Sequence, residues 1–115
     1  VKVPGSSGLD DMEKFWGRFV DQVAFVNYNP WENAYEAPLN GIETPCSDLW
    51  RRMFVWWDGC TNPCDVDFKS QLSVGSAKET DLSGLWRSAG YTKLREDHLA
   101  KKRSANSPCS RCTVI

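Results

Sequence analysis

At 115 residues the chain has the size of one domain or of part of one. A hydrophobic fraction of 41%, with six Trp and five Phe, is enough to build a core and excludes a disordered chain. The formal net charge of −1 gives no electrostatic pull toward nucleic acid or a membrane surface. No apolar run approaches a bilayer span and no charged-then-apolar leader opens the chain, so neither nucleic acid nor a membrane is expected as a partner, and a cytoplasmic location is expected. Val1 in place of an initiating Met reads as a fragment of a larger protein, or as a processed or engineered product.

Residues 1–8 carry Pro4-Gly5-Ser6-Ser7-Gly8 and read as a flexible lead-in. Asp10 is placed to cap a helix, with Glu13 in the capping-box position. Met12, Phe15, Trp16, Phe19 and Val20 then follow at helical spacing and form one apolar, packing face. Val23 to Tyr28 is a run of strand formers ended by Asn29-Pro30. Helix followed by strand is the arithmetic of an α/β unit, as though the last step of a larger sheet or barrel had been cut out. Residues 29–45, with Pro30, Pro38 and Pro45, read as a long irregular connection of the kind that often lines a site. Trp31 and Tyr35 within it are candidate ligand contacts, though packing is the simpler role for both.

Arg52 to Trp57 reads as a strand, with Val55 and Trp57 on one face and Phe54 and Trp56 on the other. Asp58-Gly59 is the pair a two-residue hairpin turn requires, and Cys60 to Asp67 is the return strand. Pro63 cannot donate to a ladder, so it belongs at an edge or where pairing stops. Residues 69–80 form a polar connection. Thr80 or Asp81 caps a second helix bearing Leu82, Leu85 and Trp86. Gly90 permits a break, and Tyr91, Leu94 and His98, with Leu99 beside them, mark a third helix. Arg95 on that helix and the run Lys101-Lys102-Arg103 after it read as solvated surface. Asn106-Ser107-Pro108 stops the helix and delivers Cys109-Ser110-Arg111-Cys112.

Five cysteines with no secretory signal point to metal binding more than to disulfides, and the odd count would leave one thiol unpaired. Cys109-x-x-Cys112 is a chelating pair, since two thiolates three positions apart in a tight turn reach one metal or cluster. A four-thiolate site needs two more ligands from three candidates. Cys60 with Cys64 gives a zinc-ribbon-like arrangement, and Cys46 with Cys64 leaves Cys60 spare. Spacing admits both, and four thiolates suit zinc or an iron–sulfur cluster alike.

The segment from Pro45 to Cys112 resembles the SPASM domain, the C-terminal auxiliary-cluster extension of radical S-adenosylmethionine (radical SAM) enzymes. The resemblance runs in order through Cys46, Trp57-Asp58-Gly59, Cys64, Asp67, Leu72-Ser73-Val74-Gly75, Leu82-Ser83-Gly84-Leu85-Trp86, Leu94-Arg95-Glu96-Asp97-His98-Leu99 and Cys109-Ser110-Arg111-Cys112. It implies an α+β fold in which a β-hairpin is followed by short helices, as an auxiliary cluster domain over 45–115. Residues 1–44 would then be the helix–strand remnant of a partial (β/α) barrel plus a connecting loop. It implies one auxiliary [4Fe-4S] cluster on Cys46, Cys64, Cys109 and Cys112, with Cys60 a non-ligand or an alternative ligand. Asp65 stands where the family usually has a second Cys, so only one cluster is carried over. It further implies, as partners, the rest of a radical SAM catalytic domain and a peptide, protein or small-metabolite substrate. The C-x3-C-x2-C motif of the S-adenosylmethionine-binding cluster is missing, so this chain is expected to be inactive alone. The competing expectation is a small four-cysteine zinc-binding interaction module without redox activity, and zinc is also the expected substitute on the same thiolates in an isolated fragment.

Overall fold

A computed structural model describes residues 8–26 and 31–115, the side chain of Trp31 excepted. Contacts divide the chain into two units, Val1–Pro30 and Trp31–Ile115. In the first, helix α1 spans Leu9–Trp16. Its cap is Gly8 in the left-handed region at φ 85°, with no side-chain hydrogen bond. Asp10 therefore lies inside the first turn beside Asp11, where both carboxylates complement the positive helix end, and the expected capping box does not form. The helix stops before Phe19 and Val20, which follow in turns. Phe15 packs on Trp16 and Phe19 at ring separations of 5.1 and 5.6 Å. Val23 to Val26 enter no strand ladder, contrary to the expected strand. Strand formers alone do not make a strand: the backbone groups need a neighbouring strand, and this unit supplies none among its described residues. The end of that run, Asn27 to Pro30, and the expected lead-in over 1–7 lie outside the described residues.

The second unit is a small α+β fold. Its sheet has strands β1 (Phe54–Val55), β2 (Cys60–Asn62) and β3 (Gly75–Ser76), antiparallel in the order β1-β2-β3. Phe54 faces Asn62 across the first pair, and Cys60 faces Ser76 across the second. The turn at Asp58-Gly59 is present but one residue longer than expected. The Trp56 and Cys60 main chains close it at 2.8 Å, Gly59 donates back to the Trp56 carbonyl at 2.9 Å, and Gly59 takes φ 89°. A three-residue loop ending in a left-handed glycine is the next-commonest hairpin connection. It places Trp57 at the tip, 97% exposed, rather than in a strand. The return strand ends at Asn62, where Pro63 removes the next donor.

Helix α2 (Leu82–Trp86) is capped by Asp81, whose carboxylate accepts from the Gly84 N–H at 2.8 Å. Helix α3 (Ala89–Leu99) is capped by Ser88, so the break falls at Arg87-Ser88 and Gly90 lies inside the first turn. Leu49, Tyr91 and Leu94 form the apolar core, with Cys46, Met53, Leu72, Val74, Trp86 and Cys109 against it. The interior also holds Thr61, Asn62, Asp67, His98, Arg103 and Ser110. Among the described residues no helix is long and apolar enough to cross a membrane.

Candidate metal centre

Three separate stretches bring cysteines to one cavity. Cys46 stands in extended backbone just ahead of a single 3-10 turn, Ser47–Trp50. Cys64 follows Pro63, where the chain has left the sheet. Its sulfur accepts the Val66 N–H at 3.3 Å, which fixes the thiol in this turn. Cys109 and Cys112 lie in a tight turn closed by Arg111 N–H to the Pro108 carbonyl at 2.9 Å and by Cys112 N–H to the Cys109 carbonyl at 3.3 Å. The four line the same cavity, and Leu49, Val66, Leu72, Pro63 and Pro108 supply its apolar walls. All five cysteines are free thiols. Among the described residues no three His, Cys, Asp or Glu side chains converge tightly enough to hold a single metal ion.

Cys60 is elsewhere. It sits on β2 with its sulfur 3.2 Å from the Ser73 hydroxyl, outside the cavity lining. Cys60 thus does not line the cavity that Cys64 shares with Cys109 and Cys112.

Burial sets the protonation of these thiols. It pushes Cys64 and Cys109 up to about 12, and raises Cys46 as well. The Val66 N–H pulls Cys64 the other way, and the Arg103 cation does so for Cys109. These thiols hold their protons at neutral pH until a positive centre replaces them. The donor chemistry thus fits a thiolate-ligated iron–sulfur group: soft sulfur donors, an apolar wall and a nearby cation to offset negative charge.

Arg103, expected on the surface, is 1% exposed. It lies in a 3-10 turn, Arg103–Ala105, that folds the chain back after α3. Its guanidinium donates to the carbonyls of Cys109 (Nε, 3.1 Å), Thr44 (Nη1, 3.1 Å) and Cys112 (Nη2, 2.6 Å). One planar fork thereby ties both cysteines of the terminal pair to the stretch leading into Cys46. Arg95 is also not solvated. It donates to the carbonyls of Leu49 and Trp86 at 2.9 and 2.8 Å and stacks on Trp86 and Tyr91. The sequence signal for both is weak: each sits in an ordinary charged stretch, and only the carbonyls converging on it reveal the role.

The irregular connection reaches the same place. Asn40 donates its backbone N–H to the Ser110 carbonyl and its side-chain amide to the Cys112 carbonyl, both at 3.0 Å. Arg111 donates to the Ala37 carbonyl. The expected site role of this connection is thus one of holding the cysteine turn. Tyr35 packs edge-on against Phe68 and donates to buried Asp67. That carboxylate accepts the Gln71 and Leu72 N–H groups at 3.0 and 2.7 Å, which positions Leu72 in the cavity wall. His98, fully buried on α3, lines the cavity too, and burial lowers its pKa to about 4, so the ring is neutral.

A family model described as an iron–sulfur cluster-binding domain, SPASM, matches residues 46–113. No curated protein and no solved structure matches the chain significantly.

Proposed function

Because the chain belongs to the SPASM family of iron–sulfur cluster-binding domains, we propose that Cys46, Cys64, Cys109 and Cys112 ligate one auxiliary [4Fe-4S] cluster. On this reading the chain is the auxiliary-cluster portion of a radical SAM enzyme, with residues 9–28 belonging to the end of its partial barrel. The observation that carries the proposal is the single cavity lined by these four thiols and not by Cys60. When bound, the cluster supplies one-electron redox chemistry. With four cysteines on four irons no iron is left open, which favours electron transfer, or organisation of a substrate pocket, over direct coordination of substrate. The catalytic domain that carries the S-adenosylmethionine site is the partner, and the substrate is a peptide, a protein or a small metabolite.

The chain's own residues supply the remainder. Cys64 and Cys109 surrender protons on loading, so loading is favoured as pH rises. Arg103 keeps the terminal cysteine turn in register with Cys46 and lends positive charge beside it. Leu49, Val66 and Leu72 keep water from the cavity.

The test is anaerobic reconstitution followed by iron, sulfide and zinc counts. About four irons and four sulfides per chain are expected. They should be lost in Cys46→Ala and kept in Cys60→Ala. One zinc without sulfide, lost in Cys60→Ala instead, would overturn the assignment.

A further inference from the structure

Three buried side-chain polar atoms have no hydrogen-bond partner among the described residues: Asn62 Oδ1, Arg95 Nη2 and His98 Nε2. Of the three residues only His98 lines the cavity that the four cysteines share. The other side of its ring is committed, because the Cys46 backbone N–H donates to Nδ1 at 3.2 Å. A ring nitrogen that accepts carries no proton, so the proton of the neutral ring is on Nε2. His98 thus presents a buried donor with no acceptor, in a residue 0% exposed.

Such a donor is costly, and buried polar groups almost always find a partner. The cavity's protein walls offer few. Arg51 and Arg52 hold the Asp48 carboxylate at Oδ1, at 2.7 and 3.5 Å. Arg103 is a donor, not an acceptor, and is committed to three carbonyls; the rest of the lining is aliphatic carbon, proline and thiol sulfur. A lone water would itself need two or more polar contacts, and Asp48 is the one carboxylate in these walls. A cluster in the same cavity brings sulfide and thiolate acceptors in number.

We propose that His98 donates a hydrogen bond from Nε2 to a sulfur of the cluster, while its Nδ1 holds the Cys46 backbone. The inference rests on the cluster reading above. A hydrogen bond to a cluster sulfur favours the reduced, more negative state, so His98 raises the reduction potential of the centre. His98 is a positioning and tuning residue and not an iron ligand.

His98 is the only histidine in the chain, so histidine labelled with 15N reports this one ring. The full chain is reconstituted anaerobically, iron and sulfide are counted, and the reduced cluster is examined by pulsed electron paramagnetic resonance. A weak 15N coupling is expected in the wild type. His98→Asn keeps an acceptor for the Cys46 N–H but loses the far donor, and its midpoint potential should fall. His98→Gln places an amide N–H near the Nε2 position and should recover part of the shift. A loaded wild type with no 15N coupling would overturn the inference and leave the cluster standing, as would an unchanged potential in loaded His98→Asn. A coupling large enough for direct iron–nitrogen bonding would also overturn it. A wild type with no iron or sulfide would overturn both readings. If His98→Asn fails to fold, the labelled wild type alone decides.

Discussion

Arg103→Met removes the guanidinium and keeps an aliphatic stem of similar length. Three carbonyls then lose the guanidinium: that of Cys109 keeps the Cys112 N–H and that of Cys112 keeps the Asn40 amide, whereas Arg103 is the donor to Thr44. Hydrogen bonds to a charged group contribute about 1.5–3 kcal/mol each. Their plain sum is an upper bound, because the three share one group and the variant no longer buries a charge. We expect a net loss of about 3 kcal/mol, in line with other broken buried charge networks. For a unit this small that corresponds to a fall in Tm of about 15 °C. Arg103→Lys should recover little, since an ammonium is a point donor and cannot span carbonyls on two separate stretches. Thermal and urea unfolding of the cluster-free protein measure this directly. An Arg103→Met protein within about 0.5 kcal/mol of wild type would refute the clamp, because that is the range of an ordinary surface substitution.

Gly75 takes φ 130°, and a Cβ there would lie 2.8 Å from Cδ2 of buried Leu85. Gly75→Ala should therefore destabilise by about 1–3 kcal/mol, read as a lower urea midpoint, and an unchanged midpoint would contradict the close approach of β3 to Leu85. Burial pushes the Tyr91 phenol up to about 12. A folded pKa above the unfolded value gives stability that is complete below pH 10 and lost as pH rises toward 12, about 3 kcal/mol in all. Phenolate absorbance during an alkaline titration should rise for Tyr91 only together with unfolding; early, reversible ionisation in the native state would contradict its burial.

Much of the second unit is legible in the sequence because local chemistry decides it. Asp81 lies just ahead of the periodic Leu82, Leu85 and Trp86, and it is the cap. Tyr91, Leu94 and His98 share a helical face, and all three are buried. Pro63 ends the strand where its missing donor requires. Tertiary context decides the remainder. Gly75-Ser76 has no strand propensity, and it pairs because the chain is held against Cys60 and Thr61. Val23 to Val26 has the propensity and enters no ladder among the described residues. The choice between Cys46 and Cys60 is open on spacing, since one precedes the hairpin and the other begins its return strand. The fold separates them by turning Cys60 toward Ser73 and bringing Cys46 under His98. Arg95 and Arg103 depart from expectation for one shared reason. A sequence displays the charge of a side chain but not the carbonyls that will converge on it.

The same polar interior links cofactor to stability. Among the described residues of the second unit the buried hydrophobics are Ala34, Leu49, Val66, Leu85, Tyr91 and Leu94, of which Leu49, Tyr91 and Leu94 form one cluster. Around the cysteine cavity four half-buried thiols and the buried polar side chains of His98 and Arg103 stand beside the apolar walls. A core this small contributes little beyond the conformational entropy it must offset. Ligation by the four cysteines would cross-link Cys46, Cys64 and the terminal turn, stretches far apart in the chain. That removes freedom from the unfolded ensemble and gives His98 an acceptor in the folded one. The cluster on this reading is a structural centre before it is a redox one. The carbonyl clamp of Arg103 meanwhile holds the terminal cysteine turn to the stretch leading into Cys46, and the Val66 N–H holds Cys64.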